Sequence, residues 1–302
     1  MTHIALVTAR AARALDEDLQ PLQGALAAAG ARVSIVDWDD TDVDWSAFDI
    51  AVLRSPWDYT DRLAEFLAWA ERTAAVTRLL NPFEVVRWST DKHYLAELEG
   101  AGVAIVPSRF VEPGDDAASA LASFLDAFTG FDEFVVKPCV GAGSRDAQRH
   151  ARGDVGRAAA HVRRLLEAGR SVLLQPYLDR VDEAGETALI HFDGAYSHAI
   201  RKGPLLRRGE DATPALFAAE HIAARTPGAD ERALAALALA AIPFAGPLAY
   251  ARVDLIRDAR GEPVVLELEL AEPSLFFANA PGSADRFARS LIARAHATPV
   301  RG

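Results

Sequence analysis

Tyr250-Ala-Arg252-Val-Asp254, followed after a turn by Val264-Val-Leu-Glu267-Leu-Glu269, decides how this chain is read. Two apolar runs flank a polar, glycine-containing turn from Arg257 to Pro263, the pattern of an antiparallel strand pair. Side chains alternate along a strand, so Arg252 and Asp254 share one face, and Glu267 and Glu269 share one face of the neighbour. Three carboxylates and one arginine therefore converge. Buried like charges repel unless a cation sits among them. A hard, oxygen-liganded Mg²⁺ suits such a set, particularly where phosphate oxygens complete its shell. The plainer reading is an acidic hairpin facing solvent, and the rest of the chain argues against it.

Working outward, Phe134-Val-Val-Lys137-Pro138-Cys-Val-Gly141-Ala-Gly143-Ser144-Arg145 is an apolar strand that ends on a lysine and a loop of small residues. Backbone N–H groups in such a loop form a nest for phosphate oxygens, and the lysine adds a point charge. No Gly-Lys-Ser/Thr follows, so it is not a P-loop. Lys92 lies behind the capping stretch Ser89-Thr-Asp at the start of a helix, where a cation is unfavourable without an anionic partner. Leu173-Leu-Gln175-Pro176-Tyr177-Leu178 is a buried strand broken by proline, leaving backbone groups free to read a purine edge between apolar side chains. Glu186 follows Gly185 near a ribose or a metal, and Arg201 and Lys202 close a hairpin with cations for the same cleft.

The N-terminal half sets the frame. Strands at 4–7, 33–36 and 50–53 alternate with helices at 15–29 and 61–73, a small open parallel sheet with helices on its faces. Asn81-Pro82 punctuates its end. Helix 92–101, strand 103–111, helix 115–128 and strand 134–137 follow. A loop then leads into a helix that runs to 168 and a strand at 171–175. Glu186 to Lys202 reads as a hairpin about Asp193-Gly194. A polar, disorder-prone loop at 203–213, a helix at 231–241, the acidic strand pair and a terminal helix complete the chain. Three units are expected: 1–85, a small α/β substrate domain; 86–180, a lobe with the phosphate loop; and 181–302, a lobe with the metal strands.

Composition narrows the function. The 32 Lys and Arg residues face 43 Asp and Glu, and a net charge of −11 argues against broad nucleic-acid binding. No run approaches the ~18 apolar residues of a membrane span, and the alanine-rich stretch 233–245 contains Pro243. One cysteine, Cys139, excludes an internal disulfide and a Cys-based zinc site. It reads as a small packing residue of the loop. No signal-like segment opens the chain, and the expected location is cytoplasmic. Thr8-Ala-Arg-Ala-Ala12 stands where a dinucleotide-binding Gly-x-Gly-x-x-Gly would be.

In this order the pieces resemble the ATP-grasp superfamily. The ordered set is Ser89-Thr-Asp-Lys92 ahead of Gly102-Val-Ala-Ile-Val-Pro107, then Val-Val-Lys137-Pro with its glycine loop, then Arg252-Val-Asp254 before Glu267-x-Glu269. The resemblance implies an α/β fold of two lobes clasping ATP behind a small parallel domain. It implies that Lys92 and Lys137 contact the phosphates beneath the Gly141, Gly143 and Ser144 loop. Gln175, Pro176, Tyr177 and Leu178 line the adenine site, with Glu186 near the ribose. Asp254, Glu267 and Glu269 hold two Mg²⁺ (Mn²⁺, similarly hard, would substitute). Arg252, Lys137 and Lys202 act on the transferred phosphoryl group. Many members read Glu-x-Asn where this chain has Glu267-x-Glu269, which leaves the role of Glu269 open.

Arg54-Ser-Pro-Trp57-Asp58-Tyr59 follows a strand at the carboxyl edge, where open sheets place ligands. Arg54 would pair with a substrate carboxylate, with Trp57, Tyr59 and Ser274 walling a small pocket. The chain looks most like the glutathione-synthetase/RimK-type ligases. It also resembles the cycloserine-forming cyclo-ligase group in Arg54 to Tyr59, Gly141 to Asp146, Tyr196 to Gly203 and Glu272 to Phe277. That implies activation of a small carboxylate such as O-ureido-D-serine as an acyl phosphate, closed by a nitrogen of the same molecule. An intermolecular amino-acid or peptide ligase and a non-catalytic nucleotide-binding regulator are the alternatives. Homodimers are common in the superfamily, and the resemblance leaves a homodimer open here.

Overall fold

Three sheets organise the computed structural model, which describes residues 1–211, 221–246 and 248–297. The first is parallel, in the order β2-β1-β3-β4, from β1 (His3–Thr8), β2 (Arg32–Asp37), β3 (Ile50–Ser55) and β4 (Arg78–Leu80). Its helices are α1 (Leu19–Ala28) and α2 (Leu63–Ala74), and α3 (Phe83–Ser89) follows β4. In α1 the buried Leu19, Leu22 and Leu26 recur at helical spacing and Pro21 sits in the first turn, where its missing N–H costs nothing. The expected helix start at Leu15 is corrected to Leu19. Asp16 accepts the Asp18 N–H, and this local bond competes with helix.

The second sheet is antiparallel, β5-β8-β6-β7. After α4 (Tyr94–Gly100) it takes β5 (Arg109–Val111), α5 (Ala117–Ala127), β6 (Glu133–Pro138), β7 (Gln148–Ala151), α6 (Val155–Glu167) and β8 (Val172–Pro176). Two expectations change here. The single strand at 103–111 is split: Val106 N–H donates to Val265 and Val265 N–H to Ala104 in the third sheet, while 109–111 pair with β8. Pro107, which cannot donate to a ladder, stands where the chain crosses between sheets. The helix expected directly after the glycine loop instead begins at Val155, because Gln148 to Ala151 first pair with β6.

The short α7 (Val181–Ala184) leads into the third sheet, β11-β10-β9-β12-β13, also antiparallel. It is built from β9 (Glu186–Phe192), β10 (Ala195–Lys202), β11 (Ile222–Arg225), β12 (Tyr250–Arg257) and β13 (Pro263–Glu269), with α8 (Ala229–Ala240) packed on β12 and β13. The polar loop expected at 203–213 lies within the described residues up to Asp211. That part is tied to the second sheet, with Gln148 donating to the Glu210 carbonyl, Arg149 to the Leu206 carbonyl and Arg208 to Glu133.

The last helix, α9 (Ser283–His296), returns to pack on α1. One apolar cluster therefore joins Ile4, Leu22 and Leu26 of β1 and α1 to Ile190, Tyr250, Phe287 and Leu291 of β9, β12 and α9. Asn81 adds a polar staple, donating to the Tyr250 and Leu270 carbonyls while accepting from Ala249 N–H. Among the described residues no helix is long and apolar enough to cross a membrane.

Candidate active site

β12 and β13 deliver the acidic hairpin in register, Arg252 opposite Glu269 and Asp254 opposite Glu267. Directly opposed residues lie close enough for side chains to interact. Val253 and Leu268 point the other way into a core shared with Leu95 and Val265, so alternation puts all four charged groups on the opposite face of the pair, three of them on the cleft wall. The ladder then slips between Asp254 and Leu255, leaving Leu266 as the extra residue of a bulge. Bulges re-aim side chains, and Leu266 joins Val106, Leu178, Val181 and Ile256 in an apolar slot.

The cleft spans about 1550 Å³ of space open to solvent, between the second and third sheets and under the Trp57–Tyr59 loop. Lys92, Lys137, Gly141, Gly143, Ser144, Gln175, Pro176, Tyr177, Leu178, Glu186, Lys202, Arg252, Glu267, Glu269, Trp57, Tyr59 and Ser274 all line it. Asp254 and Arg54 do not.

Charge is closely matched inside. Lys137 Nζ donates to Glu267 Oε1 at 2.9 Å, and Lys92 Nζ lies 3.5 Å from the same oxygen. Burial disfavours the Glu267 carboxylate, but the two lysines outweigh it and hold the group at about 2. Burial likewise works against the Lys92 ammonium, while Glu267 and Glu269 keep it above its ordinary value. Arg252 Nε donates to Asp254 Oδ1 at 2.8 Å, its Nη2 reaches Glu269, and Lys202 Nζ donates to Asp254 Oδ2 at 2.8 Å. Lys202 also pairs with Glu186. Burial raises the Glu186 and Glu269 carboxyls, whereas Arg252 and Lys202 overcome burial at Asp254 and lower it. Gly185 has φ +71°, and a Cβ there would lie 2.5 Å from the Lys202 carbonyl; only glycine lets Glu186 and Lys202 meet.

Above this floor the 138–146 loop lies across the cleft. Gly143 adopts φ +62° and Ser144 φ +61°. Among the described residues the N–H groups of Gly141, Ala142, Gly143 and Ser144 find no protein acceptor, and they present a nest. Lys92 Nζ donates to the Gly141 carbonyl at 3.0 Å, Arg170 to Val140 at 3.1 Å, and Arg145 to Asp61 of the first unit at 2.7 Å. At the far end Gln175 Nε2 donates to Ser108 Oγ at 2.9 Å beside the apolar slot. The proline does not open the ladder as expected, since Tyr177 N–H still donates to Glu133. Leu178 N–H is the next amide free of a protein acceptor among the described residues.

Two further expectations are corrected, those for Arg54 and Arg201. Arg54 cannot meet a substrate: it is fully buried, lies 3.8 Å from Asp16 and 3.9 Å from Asp18, and donates to the Pro273 carbonyl at 3.2 Å. Its place is beneath the turn that carries Ser274. Arg201 turns away from the cleft and donates to the Ala184 and Glu183 carbonyls, because alternation admits only Lys202. Asp254 lies behind Glu267 and Glu269 with both oxygens already bonded to Arg252 and Lys202. Residues missed by the sequence reading are Val106, Ile256 and Leu266 of the slot, Val135 of the cleft wall, and Pro204 to Leu206. The apolar ones look like ordinary strand residues. Only the bulge and the crossing at Pro107 reveal them.

A divalent ion fits the donor set. Glu267 and Glu269 are oxygen donors on the cleft wall, each paired with cations that a metal would replace. The nest, the two lysines and the apolar slot line one cleft, a donor and apolar set suited to a nucleotide. Fold and site together define an ATP-grasp ligase, an enzyme that uses ATP to join a carboxylate to a nucleophile.

Comparison with known proteins narrows this. The chain is 46% identical over 295 residues to the cycloserine biosynthesis protein DcsG of Streptomyces lavendulae, covering 96% of this chain and 98% of that one. Residues 4–81 match the family model of the N-terminal domain of D-cycloserine synthetase DcsG. The crystal structure of D-cycloserine synthetase DcsG superposes with a TM-score of 0.91 at 46% identity, covering 97% of this chain and 99% of that one. The D-alanine–D-alanine ligase of Bacillus anthracis complexed with ATP shares the fold at a TM-score of 0.64 and 16% identity, over 98% and 97% of the two chains. The chain belongs to the D-cycloserine synthetase family.

Proposed function

We propose that this ligase closes O-ureido-D-serine to D-cycloserine at the expense of ATP. The observation that carries the reading is the junction of a phosphate-binding floor with a small pocket walled by Trp57, Tyr59, Glu272 and Ser274. The name of the Streptomyces lavendulae relative supports it. Adenine takes the slot between Leu178, Ile256 and Leu266. Lys92, Lys137 and the loop amides hold the phosphates. The substrate carboxylate attacks the γ-phosphorus, ADP leaves, and an acyl phosphate forms. Arg252 neutralises charge on the phosphoryl group, and positioning of this kind supplies most of the catalysis in phosphoryl transfer.

The nitrogen bonded to the side-chain oxygen then attacks the acyl carbon, releasing phosphate and closing the five-membered ring. Its proton passes to solvent or to a cleft carboxylate. The carbamoyl group still on that nitrogen leaves by hydrolysis as carbon dioxide and ammonia. Mg²⁺, when bound, neutralises the phosphate oxygens. Glu267 and Glu269 are the residues that would hold it, and a second ion would draw on Asp254 only if Arg252 or Lys202 released it.

The test is ADP release with ATP, Mg²⁺ and O-ureido-D-serine and no added amine, with the product identified by mass. ADP together with cyclised product supports ring closure. ADP only when an amino acid and a separate amine are both supplied would instead assign an intermolecular ligase.

A further inference from the structure

Four glutamates line the cleft, and three of them meet a cation. Glu186 pairs with Lys202, Glu267 with Lys137 and Lys92, and Glu269 with Arg252. Glu272 is different. Its Oε1 accepts from the Tyr59 hydroxyl at 2.5 Å, and its carbonyl accepts from Trp57 Nε1 at 3.1 Å. Its Oε2 has no donor among the described residues and is not sealed within the protein.

A carboxylate on a cleft wall without a counter-cation has one spare interaction to offer. It also lies within the electrostatic reach of Lys92 and Arg252, the groups that receive negative charge. An α-amino acid carries its ammonium one carbon from its carboxylate, so a site for it needs an anion beside its cations. The turn bearing Glu272 is held firmly enough for the task. Arg54 grips the Pro273 carbonyl, and the Asp18 carboxylate accepts N–H bonds from Leu275, Phe276 and Phe277 at 2.6, 2.9 and 2.8 Å. Locked supports of this kind are what an orienting residue requires.

We infer that Glu272 is the specificity residue of this site, its Oε2 pairing with the α-ammonium of the amino-acid substrate while Tyr59 fixes Oε1. The inference rests on the proposed function for the substrate class, an α-amino acid activated at its carboxylate. It adds that the enzyme selects against carboxylic acids lacking the amine.

Binding in the presence of a non-hydrolysable ATP analogue tests it, using titration calorimetry of O-ureido-D-serine and of its desamino counterpart, 3-(ureidooxy)propanoic acid. The wild type should prefer the amino compound by about 10- to 100-fold, the range of a hydrogen bond to a charged group. Glu272→Gln should bind both compounds equally and weakly, Glu272→Asp should restore part of the preference, and Tyr59→Phe should fall between. The Kd of the ATP analogue should stay unchanged in all three, which shows that the site is folded. A preference kept intact in Glu272→Gln overturns the inference, as does a loss of turnover with no change in that preference. Loss of the preference in Glu272→Gln, in an enzyme that nevertheless forms no ring, supports the anchor and overturns ring closure. A wild type that binds neither compound overturns both.

Discussion

Replacing Glu267 by glutamine isolates the electrostatic core of the site, because glutamine is a permanent analogue of the protonated carboxyl. Lys137 and Lys92 lower this carboxyl from 4.5 to about 2 in the folded protein. Its side chain is only 23% exposed, so solvent screens the interaction little. A shift of that size corresponds to about 3 kcal/mol of stability at neutral pH. The folded value is the depressed one, so the contribution is complete above 4.5 and is lost as pH falls toward 2. By the same linkage it should be between about 1 and 2 kcal/mol at pH 3. Urea unfolding of ligand-free wild type and Glu267→Gln at pH 7, 4 and 3 measures the difference directly. A cost that stays constant across this range, or a variant more stable than wild type at pH 7, would refute the assignment of Glu267 as the counter-ion of both lysines.

Lys137→Ala should lower the rate of ADP release by about 10²- to 10³-fold, the scale for losing one preorganised charge donor, with the fold intact by circular dichroism; near-wild-type turnover would sink its phosphate role. Arg54→Ala should cost about 3–5 kcal/mol in urea unfolding, because it strips Asp16 and Asp18 of a buried partner. A loss below about 1 kcal/mol, the scale of a surface pair, would contradict the burial argument. Cys139 should resist iodoacetamide at pH 7 in the native protein and react only on unfolding, since burial pushes its thiol up; rapid native alkylation would be inconsistent with that.

How far the sequence could be read depended on how local the cause was. The β12–β13 pair, the hairpin about Asp193-Gly194 and the parallel sheet were legible because period-two alternation and turn residues are written in neighbouring positions. Placing Lys92, Lys137 and Glu267 in one cleft came from the ordered resemblance, since no local pattern links residues so far apart in the chain. Arg54 was misjudged for the complementary reason. A strand-end arginine in a loop with aromatics reads like a ligand contact, and nothing nearby shows that Asp16, Asp18 and Pro273 enclose it. Glu272 enters the sequence reading only within the stretch to Phe277 that resembles the cyclo-ligase group, since its lack of a cation is visible only once the other cleft glutamates have been paired. The split of 103–111 was hidden because a proline inside an apolar run does not say which two sheets it separates.

The cluster that joins β1 and α1 to Phe287 and Leu291 of α9 sets an order of events during synthesis. The apolar face of the first strands must wait for residues nearly three hundred positions later, as the bond between Thr2 and His296 illustrates. Contacts of such long range form late, after the loop-closure cost has been met. The Asp18 clamp on the 275–277 amides waits for the same moment. The wall that Trp57 and Tyr59 form with Glu272 therefore closes only when segments more than two hundred residues apart have met.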